Sequence, residues 1–159
     1  MKYKLRNFPF KTVLVVCSVN TARSPMTVGF LKKYFKNLDI AIYSGGISSH
    51  ARNGMLISMD AKLAMEEIGI ILPDNSVSVD LKTRPEIIEK SELILTLTEK
   101  HKEEVQKFAA LDGKVIMTLK EFAGDHGDIE DPSMKGLKGF RKVRNQIERC
   151  LVKGLKKYS

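Results

Sequence analysis

Four short apolar runs, rich in β-branched residues, alternate along the chain with longer segments whose apolar residues have helical spacing. The runs are residues 12–17, 40–44, 93–98 and 114–119. A continuous apolar run suits a strand that is buried on both faces, and strands that alternate with helices form parallel sheets. The pattern therefore predicts a three-layer α/β fold, in which a four-stranded parallel sheet carries helices on both faces.

The segments between and after these runs predict five helices. The first begins at Ser24-Pro25, where proline suits the first helical position, and its apolar stripe includes Leu38. In the second predicted helix, Leu63 is expected to face inward. Gly45-Gly46, after the second strand, is interpreted as a turn. The long segment 46–59 has no clear pattern, and such a segment after a strand is often functional. The other helices are predicted at residues 60–68, 84–91, 99–110 and 135–158.

Length and composition indicate one globular domain. The chain has 159 residues, of which 43% are hydrophobic, and only two are cysteines, Cys17 and Cys150. Two cysteines do not make a disulfide framework, and no apolar run approaches the ~20 residues that a membrane span needs. The apolar stretch after the basic N-terminal residues is too short for a signal peptide. We therefore expect a single domain over residues 1–159 that is monomeric and cytoplasmic and makes no membrane contact.

The formal net charge of +8 comes from one end of the chain. From residue 135 onward there are nine lysines and arginines and one acid, Glu148, so residues 1–134 are neutral. A basic helix can bind nucleic acid or an acidic membrane surface, and it can equally be a solvated helix face. No interleaved aromatic residues indicate base stacking. We therefore predict no nucleic-acid partner, and docking of an acidic partner stays open.

A cysteine and an arginine six positions later, Cys17 and Arg23, follow the first predicted strand directly. A loop of this length can wrap its backbone N–H groups around one oxyanion, with the next helix N-terminus adding positive potential. Arg23 can bind two phosphate oxygens, and the same surroundings favour a nucleophilic thiolate at Cys17. Asn20 tolerates the left-handed backbone of a tight loop. The predicted phosphate-binding residues are Ser18, Val19, Asn20, Thr21, Ala22 and Ser24, and Ser24 can donate its hydroxyl to the thiolate.

A thiolate that attacks phosphorus needs a group to protonate the leaving atom. The candidate is Asp131, because Pro132 biases it toward an extended conformation in an acidic loop before the last helix. A second interpretation is that Asp131-Pro132 is only a turn.

Together, Cys17, Asn20, Arg23-Ser24-Pro25 and Asp131-Pro132 resemble the low-molecular-weight protein tyrosine phosphatases over essentially the whole chain. The resemblance implies that Cys17 is the nucleophile, that Arg23 binds phosphate, and that Asp131 acts first as acid and then as base. It implies a phosphorylated protein substrate, inorganic phosphate as product, and no cofactor or metal.

Finer features are similar to the bacterial protein-arginine phosphatase branch. These are the residues 118–122 and 126–128, and Thr21, which stands where tyrosine-directed members usually carry an aliphatic residue. The chain departs from the family at Val19, Ala22 and Ser133, which replace a glycine, a frequent cysteine and an aromatic residue. Phosphotyrosine and phosphoarginine both stay open as substrates. Two competing functions are an inactive phosphoprotein-binding module and a thiol-dependent arsenate reductase.

We predict no metal site from the histidines and cysteines of the sequence. His50, His101 and His126 share no ligand spacing with either cysteine. His101 lies in a charged helical segment and is predicted to be solvated. Cys150 falls on the apolar stripe of the last helix, where we expect an inert core position.

Overall fold

A parallel sheet of four strands forms the centre of the fold. The computed structural model describes residue 5 and residues 7–108 and 112–159, so the basic N-terminal residues and the predicted helix end at residues 109–110 lie outside the described residues. The strands are β1 (Thr12–Cys17), β2 (Ala41–Gly46), β3 (Leu93–Thr96) and β4 (Val115–Thr118). The sheet order is β2-β1-β3-β4, and all pairs are parallel.

Helices cover both faces of this sheet. On one face Val13 and Val15 of β1 belong to a core that includes Phe30 and Ile147, and on the other Leu14 packs in a second core. The alternation follows from the two-residue period of a strand, and it confirms the predicted three-layer α/β fold. The helices are α1 (Arg23–Tyr34), α2 (Met59–Glu66), α3 (Pro85–Glu89), α4 (Glu99–Gln106), α5 (Leu119–Phe122) and α6 (Gly136–Leu155).

Two predicted strands end earlier than expected because threonine side chains cap the helices that follow. Thr98 accepts the His101 N–H and starts α4. Thr118 and Glu121 form a capping box, so the chain enters α5 where the apolar pattern predicted more strand.

Two predicted core residues are more exposed than expected. Leu63 is 41% exposed because α2 buries Ala61, Ala64 and Met65 instead, and Leu38 is 39% exposed because α1 ends at Tyr34. Within the described residues, no helix is both long and apolar enough to cross a membrane.

Candidate active site

The predicted phosphate-binding loop joins the central strand to the first helix. Cys17 is the last residue of β1 and Arg23 is the first of α1, so the loop lies at the carboxyl edge of the sheet. Asn20 has φ 64°, which confirms the left-handed backbone expected there. The loop therefore turns within five residues, and the N-terminus of α1 lies close behind it.

The Cys17 thiol is buried and has two close polar neighbours. Its Sγ lies 2.9 Å from the Ser24 hydroxyl oxygen, and the backbone N–H of Asn20 donates to it over 3.2 Å. A thiolate at Cys17 can accept both hydrogen bonds. Such an environment stabilises the nucleophilic form of a cysteine.

Asn20 connects the loop to the two segments beside it. Its side-chain amide donates to the hydroxyl oxygens of Ser24 at 2.8 Å and Ser44 at 3.0 Å, and its Oδ1 accepts the Val79 N–H at 2.9 Å. The residue is only 2% exposed, and a buried amide with both its donors and its acceptor used has one stable orientation. Asn20 therefore holds the loop rigid before any anion binds.

The interpretation of Gly45-Gly46 as a turn was wrong, because both residues are the end of β2 and pair with β1. A Cβ on Gly46 would lie 2.7 Å from the carbonyl oxygen of Ser18 and 2.9 Å from Val19 Cα. Only glycine lets the loop pass this close to the neighbouring strand. The next N–H groups, of Ile47 and Ser48, both donate to Ser18 O at 3.1 Å.

The segment 46–59, which had no clear pattern, supports the loop from outside. Besides those bonds to Ser18, the Ser58 N–H donates to the carbonyl oxygen of Thr21 at 2.8 Å. Ala22 is the residue before α1, and its carbonyl accepts the Met26 N–H at 3.1 Å. With these carbonyl groups already bonded, the loop backbone has few ways to rearrange.

Arg23 links the loop to the segment that carries Asp131. Its guanidinium is largely buried and donates from Nη1 to the carbonyl oxygen of Ile129 at 2.9 Å. Ile129 is itself attached to the sheet, because its N–H donates to Leu97 O at 2.9 Å. A guanidinium has five N–H donors, so one bond to Ile129 leaves others for an oxyanion. Arg23 thus lies between the phosphate-binding loop and the segment that carries Asp131.

Asp131 lies exposed two residues after Ile129. Partial desolvation alone would raise the pKa of Asp131, but the Ser133 backbone N–H and hydroxyl and the charge of Arg23 hold the pKa below its usual value. The Ser133 N–H donates to Asp131 Oδ1 at 2.9 Å. Asp131 is therefore a carboxylate at neutral pH.

His101 was predicted to be solvated, and this was wrong. The residue is 5% exposed, and among the described residues its Nδ1 has no hydrogen-bond partner. Burial, followed by the positive charge of Arg23, lowers the pKa of His101 to about 4. His101 and Val105 are four residues apart on the buried side of α4. This spacing, with the Thr98 cap before it, was the signal available in the sequence.

Cys150 is buried on α6, as expected for a core position, and desolvation raises the pKa of its thiol. The described residues contain no group of three or more His, Cys, Asp or Glu side chains that could hold a metal ion. The Cys17 thiol and the Arg23 guanidinium belong to the two ends of the loop, and Arg23 is hydrogen-bonded to Ile129, two residues before Asp131.

Comparison with known proteins assigns this site to a family. Residues 12–158 match the family described as "Low molecular weight phosphotyrosine protein phosphatase". The protein-arginine-phosphatase of Bacillus subtilis is 34% identical over 91% of this chain and 97% of its own. The low molecular weight protein-tyrosine-phosphatase Ptp of Acinetobacter johnsonii is 38% identical over 90% of this chain and 94% of its own.

A more distant relative has a different printed activity, whereas a solved structure agrees with this family. Arsenate reductase 2 of Staphylococcus haemolyticus is 27% identical over 89% of this chain and 93% of its own. The crystal structure of a low molecular weight protein tyrosine phosphatase from T. tengcongensis has a TM-score of 0.82, with 30% identity over 92% of this chain and 98% of that one. The chain therefore belongs to the low molecular weight phosphotyrosine protein phosphatase family, and it is a phosphatase.

Proposed function

We propose that this phosphatase removes phosphate from protein side chains through a phosphocysteine intermediate at Cys17. The observation that carries the proposal is the buried Cys17 thiol, which is hydrogen-bonded by Asn20 and Ser24 in a loop that ends at a buried arginine. The rate of phosphoryl transfer depends mainly on how the reacting groups are positioned and on how the charge of the phosphoryl oxygens is stabilised. Arg23 and the loop N–H groups supply that stabilisation around three phosphoryl oxygens.

The reaction then has two steps. The Cys17 thiolate attacks phosphorus, so that an S–P bond forms while the bond from phosphorus to the leaving oxygen or nitrogen breaks. Asp131 gives its proton to that leaving atom. In the second step Asp131 takes a proton from water, the water oxygen attacks phosphorus, and the S–P bond breaks to release inorganic phosphate and the thiolate.

The ionised state of Asp131 affects which leaving groups it can help. A bound phosphate dianion raises the proton affinity of a neighbouring carboxylate, so that Asp131 can enter the first step protonated. The N–H groups of a phosphoarginine guanidinium can donate hydrogen bonds to a carboxyl oxygen of Asp131, which the ring of phosphotyrosine cannot do. Asp131 therefore favours phosphoarginine over phosphotyrosine through this contact.

The residues around the loop support the same preference. Thr21 is a polar residue at the loop rim, and Ser133 and Met134 stand beside Asp131 in place of an aromatic side chain. Met134 is fully exposed and offers no wall on which a phenol ring could stack. The identity to the B. subtilis protein-arginine-phosphatase agrees with this substrate. Phosphotyrosine is the second candidate, because the A. johnsonii tyrosine phosphatase is 38% identical.

The deciding experiment compares phosphate release from two peptides that differ only in carrying phosphoarginine or phosphotyrosine. We expect a higher kcat/KM for phosphoarginine, and a large preference for phosphotyrosine would refute that assignment. Cys17→Ser should abolish turnover of both peptides, whereas Cys150→Ser, the matched control, should leave it unchanged. Phosphate binding by the wild type without any turnover would show a binding module instead of an enzyme.

The role of Asp131 is tested separately. Asp131→Ala should slow the first step most for poor leaving groups, and a uniform loss across a series of aryl phosphates would contradict the acid role. Asp131→Asn keeps the size of the side chain but cannot transfer the proton, so it should behave like Asp131→Ala.

An arsenate reductase would need a second thiol to resolve the oxidised product. Cys150 is the only other cysteine in the sequence, and it is buried on α6 among core residues. We therefore propose phosphate ester or phosphoramidate hydrolysis over arsenate reduction. Arsenate turnover that is lost in Cys150→Ser would reverse this choice.

We further propose that the protein works as a monomer in a reducing compartment, the cytoplasm. One chain supplies the loop, its supporting segment and Asp131, and both cysteines are free and buried. Free thiols are typical of reducing compartments. Sedimentation at working concentration should give the mass of one chain, 17.9 kDa.

A further inference from the structure

The positive charges of α6 and its flanking residues divide into two groups. In the first group, each pair of cations shares one carboxylate, and the N–O distances range from 2.6 to 3.2 Å. Glu67, which follows α2, takes two arginines, and Glu130, which precedes Asp131, takes two lysines. These four cations are Lys135, Arg141, Lys142 and Arg144. The acidic side chains around the N-terminal half of α6 therefore offset much of its charge.

The second group surrounds a hollow between α5 and α6. Lys120 of α5 and Arg149 and Lys153 of α6 line this hollow, whose volume is about 210 Å³. Across the described part of the chain, none of the three cations forms an ion pair. Arg149 and Lys153 are four residues apart, so both point from the same side of the helix. We call this hollow the α5–α6 pocket; its other lining residues are Ala123, Asp125, Gln146 and Cys150.

One acid moderates this charge without cancelling it. Asp125 Oδ1 accepts the backbone N–H of His126 at 2.9 Å. That bond, together with the charges of Lys120 and Lys153, lowers the pKa of Asp125, so the carboxylate is ionised at neutral pH. Three cations and one carboxylate leave the pocket with a net charge of +2. Unpaired like charges that line one pocket repel each other, and a bound anion would relieve the repulsion.

We propose that the α5–α6 pocket is a second anion-binding site, which takes a phosphate dianion either free or carried by a small monoester. The Arg149 guanidinium can bind two phosphate oxygens with its planar fork, and the two lysines supply point charges on the other sides. The buried Ala123 and Cys150 form an apolar floor that suits the carbon atoms of a small ester. A volume of about 210 Å³ is enough for phosphate with a few further atoms.

The pocket is also connected to the catalytic segment. Gln146 lines it, and the Gln146 side chain bonds both the backbone N–H and the carboxylate of Glu130, at 3.4 and 3.3 Å. Glu130 precedes Asp131 directly. An anion in the pocket therefore touches a side chain that holds the segment on which Asp131 lies.

Amide chemical shifts of the ¹⁵N-labelled full chain test the proposal, because they report the pocket and the catalytic loop separately. Inorganic phosphate and glycerol 3-phosphate are titrated in turn, with chloride at equal ionic strength as the blank. We expect the amides of Ala123 and Cys150 to shift in a saturable way with at least one of the two probes. The probe that saturates the pocket identifies free phosphate or monoester as the source. The amide of Asn20 reports anion binding at the catalytic loop.

The double variant Arg149→Gln/Lys153→Gln should raise the dissociation constant at the pocket at least about tenfold and leave the Asn20 response unchanged. The matched control, Lys138→Gln/Lys156→Gln, removes an equal number of positive charges from exposed positions outside the pocket and should retain both responses.

Three results would overturn the proposal: pocket amides that stay silent while the Asn20 amide saturates, a chloride response equal to that of phosphate, or an undiminished pocket response in Arg149→Gln/Lys153→Gln. None of these readouts requires catalysis, so failure of the pocket and failure of the phosphatase assignment are distinguishable.

Discussion

Buried His101 should make the protein lose stability in mild acid. Its pKa is about 4 in the folded chain against 6.5 for the ordinary side chain, so the unfolded chain binds the proton more tightly. Stability therefore falls as pH falls below 6.5, and the loss is complete below the folded pKa. At 1.36 kcal/mol per pKa unit, the loss is about 2 kcal/mol by pH 5 and about 3 kcal/mol by pH 4. Small domains have total stabilities of about 5–15 kcal/mol, so this loss is easily measured.

The assay is urea unfolding at several pH values between 7 and 5, for the wild type and for His101→Gln. Glutamine is polar but does not titrate, so the variant should lose much less stability across this range. His50→Asn is the matched control, because His50 is exposed and its replacement should leave the pH dependence as in the wild type. The ion-paired Glu67, whose pKa is lowered to about 2, is present in the wild type and in both variants, so its contribution cancels in the comparison.

Parallel stability curves for the wild type and His101→Gln between pH 6.5 and 5 would refute the reasoning. An NMR titration of the imidazole provides a second check. A midpoint near 6.5 would mean that His101 is solvated in the folded protein, as its charged neighbours in the sequence had indicated.

Three other features can be tested by one substitution or one labelling reaction each. Gly46→Ala should destabilise the fold by about 2 kcal/mol or more and abolish aryl phosphate hydrolysis, since its Cβ would meet Ser18 O at 2.7 Å; urea unfolding and kcat/KM would check both effects, and a fully active, stable variant would contradict the contact. Cys150 should react with iodoacetamide much more slowly than Cys17 in the folded protein, because burial raises the pKa of its thiol; mass spectrometry of timed samples would measure this, and equal labelling rates would contradict it. Glu67→Gln removes the carboxylate that two α6 arginines share, so Tm should fall in low salt and fall less in 1 M salt; an equal loss at both salt concentrations would mean that packing, not charge, is responsible.

Local pattern was enough to predict the framework and the centre of the site. A strand is indicated by a short apolar run, and the tight turn between Cys17 and Arg23 by residues that tolerate its backbone conformation. Residues that are close in sequence are therefore enough to predict both. The structure confirms buried strands at β1 and β3, the left-handed Asn20 and the contact between Ser24 and the Cys17 thiol, whereas β2 and β4, at the edges of the sheet, are partly exposed. Element ends were less predictable, because the Thr98 and Thr118 caps compete with an apolar pattern that continues past them.

Contacts between distant segments were not predictable, because they depend on how the sheet brings chain segments together. In the sequence, the pair Gly45-Gly46 was interpreted as a turn. Only the pairing of β2 with β1 shows why glycine is needed at position 46. His101 lies in a charged sequence, yet α4 turns it toward the interior, away from water. The bond from Arg23 to Ile129 joins residues 106 positions apart.

The sequence by itself therefore determined the layered α/β fold, the position of the loop between Cys17 and Arg23 and the excess of positive charge near the C-terminus. These properties depend on residue type and on spacing within one turn or one strand. The tertiary structure decided which groups surround that loop, and which of the positive charges are paired. Hydrogen bonds and ion pairs require contact within a few ångströms, and only the folded chain brings such distant residues that close.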